Sequence, residues 1–159
     1  MDSDMEQLVG LVERWRASPY DFVVECIGAV PTEQQRGVLE AMALPGARVS
    51  IRSGHGTGKS CLFAWIGLWG ITCFWDVKIP ATAPTAHQLS DIIWPEVDKW
   101  RAQMLAPSRS AVKIKGDKIT MDGKPRFIAA RTGRKENPES LPAFHAEPTH
   151  ILIAEAYGL

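Results

Sequence analysis

The chain has little of what marks secreted, metal-binding or membrane-spanning proteins. Its three cysteines, Cys26, Cys61 and Cys73, are odd in number and form no Cys-x-x-Cys pair. Neither a disulfide framework nor a zinc knuckle is indicated, and a reducing compartment fits. The four histidines are scattered, with no two spaced i,i+4, which argues against a metal site built on them. There is no excess of charge of either sign. Eighteen basic residues balance eighteen acidic ones, so a nucleic-acid partner cannot be argued from net charge and would need local patches. The start, Met1-Asp2-Ser3-Asp4, is acidic and lacks an apolar h-region, which excludes a signal peptide. The longest apolar run, Cys61 to Trp75, is interrupted by Gly67, Gly70 and Thr72. It falls short of the ~20 residues a bilayer requires and reads as a buried helix. Internal repeats and low-complexity segments are absent.

What is present is an ordinary globular composition, 45% hydrophobic and 23% charged over 159 residues. That length is one domain or part of one, and can bury roughly 70% of its unfolded surface. Leu8, Leu11, Val12 and Trp15 recur at helical spacing and predict an amphipathic N-terminal helix, broken at Ser18-Pro19. Phe22 to Ile27 suits a second short helix. Thr32 followed three residues later by Gln35 has the capping-box spacing, opening a helix that runs to about Leu44 and stops at Pro45-Gly46.

Arg48 to Arg52 is short and β-branched, a predicted buried strand, and the apolar helix follows the glycine-rich segment after it. Val77 to Ala81 predicts a second strand, and Ala86 to Leu105 a helix that Pro95 kinks or restarts. Ile114 to Met121 and Arg126 to Ala130 flank Asp122-Gly123, a hairpin signal. Thr132 to Ser140 reads as a loop, and His150 to Ile153 as a last buried strand. Strands alternating with helices predict an α/β sheet with parallel strands. Residues 1–46 form a helical segment and residues 47–159 the sheet-containing core.

The strongest chemical signal is Gly54-His55-Gly56-Thr57-Gly58-Lys59-Ser60, set between a predicted strand and a predicted helix. Glycines let the backbone curl until its N–H groups converge, and the following helix adds its positive end. In such a phosphate loop Lys59 reaches the β- and γ-phosphates of a nucleoside triphosphate and Ser60 ligates Mg²⁺. Ser53 stands where the strict pattern has glycine. The bland alternative is a glycine-rich turn with a solvated lysine; the order strand, loop, Lys-Ser, helix argues against it.

Hydrolysis requires a second strand ending in acid: one carboxylate for the metal, another to polarise the attacking water. Ile151-Leu152-Ile153-Ala154-Glu155 is the candidate, with Glu155 as the water-activating base. Ala154 stands where an aspartate is expected. The alternative is a core strand with an incidental glutamate at its end.

These motifs, together with Ala83-Pro84-Thr85-Ala86-His87-Gln88, Trp94-Pro95-Glu96, Ala130-Arg131-Thr132, Phe144-His145-Ala146-Glu147 and Glu155-Ala156-Tyr157-Gly158, resemble the large terminase subunits of tailed phages and prophages. The resemblance spans nearly the whole chain, in order. It implies a P-loop NTPase of the ASCE type, with a mainly parallel central sheet flanked by helices, cut short after the Walker B strand. It implies ATP hydrolysis with Mg²⁺, powering DNA translocation into a procapsid. The implied partners are double-stranded DNA, the portal, the small terminase subunit and further copies in a ring. The implied location is the host cytoplasm and, transiently, the procapsid portal, with no membrane.

By position, Gln35 matches the family's adenine-contacting glutamine, with Gln34 where a tryptophan is usual; closing the capping box on Thr32 is the competing role. Tyr20 or Phe22 could stack on the base, although a core aromatic is the simpler reading. Arg131 and Arg134, in the predicted loop before the last strand, are candidates for an arginine acting on a neighbouring subunit, as is Arg52. A solvated loop arginine is the alternative for each.

Three functions stay open on the sequence: a packaging ATPase, a nucleotide-binding remnant without hydrolysis, and another P-loop motor such as a helicase. Lys113, Lys115, Lys118, Lys124 and Arg126 cluster around the predicted hairpin and could contact phosphates. An ordinary solvated hairpin is favoured, because no aromatics interleave for base stacking.

Overall fold

Capping residues and turn glycines set most of the element boundaries. In the computed structural model, residues 3–47, 49, 51, 58–83, 87, 89–123, 126–132 and 153–154 are described. Helix α1 spans Ser3–Ala17, with Asp4 and Glu6 in its first turn and Arg14 and Arg16 in its last, the polarity that complements a helix dipole. Trp15 is its one buried residue; Leu11 and Val12 pack more loosely against the core. The Ser18 hydroxyl accepts from the Asp21 backbone N–H and opens the short α2, Pro19–Asp21. A π-helical segment, Phe22–Ile27, follows directly and ends at Gly28, whose φ of 76° supplies the left-handed exit.

Helix α3, Glu33–Met42, begins at the predicted capping box, and both of its hydrogen bonds form. It ends slightly earlier than the predicted Leu44. Helix α4, Lys59–Cys73, is buried on nearly every side from Leu62 onward, as expected of a helix that is apolar all round. Among the described residues, no helix is long and apolar enough to cross a membrane.

Strand β1, Lys78–Ala83, follows α4 after a short turn. The predicted long helix is divided. A π-helical segment, Leu89–Ile93, passes into α5, Trp94–Arg101, and Pro95 falls in the first turn of α5, where the helix changes type. The short α6, Ala106–Ala111, completes the connection.

The predicted strand Ile114 to Met121 is instead two strands, β2 (Val112–Lys115) and β3 (Lys118–Met121). Gly116 and Asp117 turn the chain between them. Gly116 has φ 57° while Asp117 does not enter the positive region, the pattern of a II′-type hairpin. Asp122-Gly123 then turns β3 into β4, Phe127–Thr132. Strand β5, Ile153–Ala154, takes in the end of the predicted last strand and one residue beyond it.

The sheet order is β2-β3-β4-β1-β5. Strand β1 is parallel to β4 and to β5, whereas β2, β3 and β4 form an antiparallel meander. The sheet is therefore mixed and not mainly parallel, because two tight turns replace crossovers at that side. Val49 and Ile51, the described residues of the predicted strand Arg48 to Arg52, belong to no strand.

The core lies between α4 and this sheet and continues under α1 and the Phe22–Ile27 segment. Ile79, Ile119 and Ile128 from the strands share one core cluster with Leu62, Leu68 and Ile71 of α4. Trp15 ties the N-terminal layer to α4: its carbonyl accepts from Trp69 Nε1 at 2.7 Å, and its own indole donates to Glu25 at 2.8 Å. Trp65 and Trp100 meet edge to face at 5.3 Å where α4 packs on α5.

Candidate phosphate-binding site

Gly58 ends the glycine-rich motif and serves as the N-cap of α4, with φ 82° and ψ 23°. Only glycine takes that conformation readily. A Cβ there would also meet Gln35 Nε2, so the glutamine side chain would have to shift. The first turn of α4 carries no acidic side chain and no side-chain cap. Its leading N–H groups have no intrahelical acceptor, and the dipole makes this end positive. Lys59 and Ser60 open the helix, and both are half-buried.

The Gly58 carbonyl is heavily used. It accepts from Leu62 N–H at 3.1 Å, Gln35 Nε2 at 3.2 Å and Cys61 Sγ at 3.0 Å. Gln35 Nε2 also donates to Cys61 Sγ at 3.2 Å, while Gln35 Oε1 accepts from Thr32 N–H at 2.9 Å. Gln35 is 7% exposed. The capping-box role weighed for Gln35 is thus formed, and its amide also reaches across to α4. Burial pushes the Cys61 thiol pKa up, opposed by its bond with Gln35.

Chain direction decides where this helix end lies. A short turn joins the end of α4 to the start of β1, and α4 packs on β1, β3 and β4. The helix therefore runs back along the sheet, and its N-terminus faces the carboxyl ends of the parallel strands, the usual ligand-binding side of an α/β sheet. At that edge Thr82 of β1 is flanked by Arg131 of β4 on one side and Ala154 of β5 on the other. Arg131 lies within a strand and not in the predicted loop, because the parallel pairing with β1 continues to Thr132. Ala154 pairs within the last strand, so the position expected to hold aspartate is part of the sheet.

Of the other predicted site residues, Gly54, His55, Gly56, Thr57, Arg52, Arg134 and Glu155 lie outside the described residues, as does Lys124 of the basic cluster. Tyr20 is half-buried beneath the Arg36 guanidinium, 4.4 Å from the ring centre, and Phe22 is fully buried against Trp15. Phe22 is a core residue.

The basic cluster loses Arg126. That side chain is 9% exposed and points inward, donating to the carbonyls of Ile71 at 3.0 Å, Thr72 at 2.7 Å and Trp75 at 3.1 Å. Arg16 donates to the Cys73 carbonyl at 2.8 Å. Helix α4 has no basic residue in its own last turn, and these two arginines satisfy its orphan carbonyls from elsewhere in the chain. Sequence spacing carries no signal for either contact, since each bridges more than fifty positions. Burial lowers the Arg126 pKa, yet a guanidinium begins so far above neutrality that the charge is kept. Lys113 sits 3.9 Å from Asp122 and Lys118 lies over the Phe127 ring, as on an ordinary hairpin surface.

No family model matches the chain, and no solved structure does. The chain is 27% identical, over 158 aligned positions covering 92% of its length, to a probable terminase large subunit of Enterobacteria phage P7. It spans about a third of that curated relative, 32%. Across nearly its whole length, then, the chain is terminase-like.

Proposed function

We propose that this chain is the nucleotide-binding front of a DNA-packaging ATPase, and that ATP is held at the N-terminus of α4. The observation that carries the reading is the helix end itself: Gly58 in a left-handed cap, Lys59 and Ser60 directly after it, and no acid in the first turn. The convergent N–H direction and positive dipole of such an end suit a polyphosphate, and its two opening side chains suit the charge and the metal. The similarity to a terminase large subunit supplies the second line of support.

In this reading the backbone from Gly54 to Gly58 wraps the phosphates. Lys59 Nζ neutralises the β- and γ-phosphates, and Ser60 Oγ ligates Mg²⁺. Bound Mg²⁺ supplies charge stabilisation as the phosphoryl group transfers. Glu155, just beyond β5, orients the attacking water, and Arg131 or Arg134 offers positive charge toward a neighbouring copy. Double-stranded DNA, a portal, a small terminase subunit and a ring of copies are the partners this function requires.

One observation favours a narrower second reading, that of a nucleotide binder with little hydrolysis. Ala154, paired with Thr82 at the sheet edge, offers no carboxylate to the metal. A base acting on a γ-phosphate misplaced by ~1 Å works poorly. ATP binding and turnover measured on one purified sample separate the two readings. We expect binding with slow turnover, and acceleration by Ala154→Asp in a longer homologue that carries this segment. Unchanged turnover in that variant removes Glu155 from its role and the last strand from its alignment. Absence of ATP binding removes the whole proposal.

A further inference from the structure

The Gln35 carboxamide is turned toward protein at both its nitrogen and its oxygen. Its Nε2 faces a pair of acceptors, Gly58 O and Cys61 Sγ, both at 3.2 Å, and its Oε1 accepts from Thr32 N–H at 2.9 Å. A glutamine that reads adenine uses its amide as a donor toward N7 and an acceptor toward the exocyclic amine. The donor half of that pair is turned toward Gly58 and Cys61 here, in a site where Gln35 is 7% exposed. Turning it toward a base would give up the contacts with Gly58 O and Cys61 Sγ that join α3 to α4.

The same bonds do something else. They tie the first turn of α3 to the residue that turns the glycine-rich motif into α4, across 23 positions of sequence. The tie closes a three-membered cluster, since Cys61 Sγ also lies 3.0 Å from Gly58 O. Gly58 is held in its left-handed conformation at the point where the leading N–H groups of α4 take their direction. The close approach of Gln35 Nε2 to where a Cβ would stand at Gly58 is the steric counterpart of the same contact.

We infer that Gln35 is a positioning residue, which fixes the phosphate-binding turn of α4 through the Gly58 carbonyl and does not select the base. The inference rests on the proposal that the α4 N-terminus binds phosphates. It predicts a loss that ignores the nucleobase. Gln35→Glu keeps the side-chain length and the acceptor for Thr32 but turns the donor facing Gly58 into a second acceptor. At pH 8 this variant should bind Mg²⁺-ATP, Mg²⁺-GTP and Mg²⁺-tripolyphosphate each about tenfold more weakly than wild type, the scale of one or two lost hydrogen bonds. Lowering the pH until the introduced carboxyl protonates returns a donor, and the ratio of variant to wild-type affinity should then recover. Thr32→Ala, which removes only the cap, should leave tripolyphosphate affinity unchanged.

The outcomes are distinct. Wild type failing to bind all three ligands defeats the phosphate-site proposal, and this inference with it. Wild type binding all three while Gln35→Glu loses ATP alone overturns the inference and restores the adenine role. Gln35→Glu binding all three like wild type also overturns it, with the phosphate site intact. Should Gln35→Glu not fold, the Gln35 side-chain amide protons of wild type decide by NMR. Slow exchange with and without tripolyphosphate supports the tie to Gly58, and a shift seen with ATP but with neither GTP nor tripolyphosphate contradicts it.

Discussion

Gly58 concentrates two demands in one residue. Its φ of 82° disfavours any side chain, and the neighbouring Gln35 amide would have to move aside for one. A non-glycine residue in the left-handed region costs about 1–3 kcal/mol. Gly58→Ala should therefore lower stability by about 2 kcal/mol and weaken ATP at the same time, because the Gln35 contact must yield. Chemical denaturation and calorimetry on the same variant check both effects; a stable variant with wild-type affinity would show that this cap is not tight. The capping-box spacing of Thr32 and Gln35 was legible in the sequence because it is local, three residues apart. The contact from Gln35 to Gly58 was not, because it depends on how α3 and α4 pack, which no spacing encodes. Cys61 was likewise read only as one of three free thiols, with nothing in its neighbours to mark it as a partner of that glutamine.

Helix α4 is anchored at both ends by side chains from other elements. At its N-terminus Gln35 holds Gly58; at its C-terminus Arg126 and Arg16 hold the last carbonyls. Removing the Arg126 guanidinium would strand several buried acceptors at once. Arg126→Ala should cost about 3 kcal/mol, the range of a lost buried charge-assisted network. The midpoint of urea unfolding measures it, and a change below about 0.5 kcal/mol would mean that the guanidinium is a surface group after all. Element identity was largely readable. The amphipathic pattern of α1, the apolar run of α4 and the strand after it all follow from periodicity and composition. What failed was the division of the β-meander. Ile114 to Met121 looks continuous because Gly116-Asp117 interrupts an alternating pattern with only two residues, as a tight hairpin does. The π-helical segments at Phe22–Ile27 and Leu89–Ile93 carry no periodic signature that separates them from α-helix over so few residues.

At the scale of the molecule, the mixed sheet divides the chain's work. The meander β2-β3-β4 closes one side with short turns, while β4, β1 and β5 run parallel and bring their carboxyl ends to the edge that the N-terminus of α4 faces. Arg131, Thr82 and Ala154 stand side by side on that edge. The expectation of parallel strands was right for this half, where helical segments connect β1 to the meander, and wrong for the other, where hairpin turns leave no room for a crossover. The central claim is that this edge and the α4 N-terminus together hold a nucleoside triphosphate through Lys59. Calorimetric titration of Mg²⁺-ATP into wild type and Lys59→Ala, with the fold of each checked by circular dichroism, tests it most directly. The account predicts saturable binding to wild type, and at least a hundredfold loss in a variant that stays folded, about 2.7 kcal/mol. Equal affinity in the two proteins would contradict it.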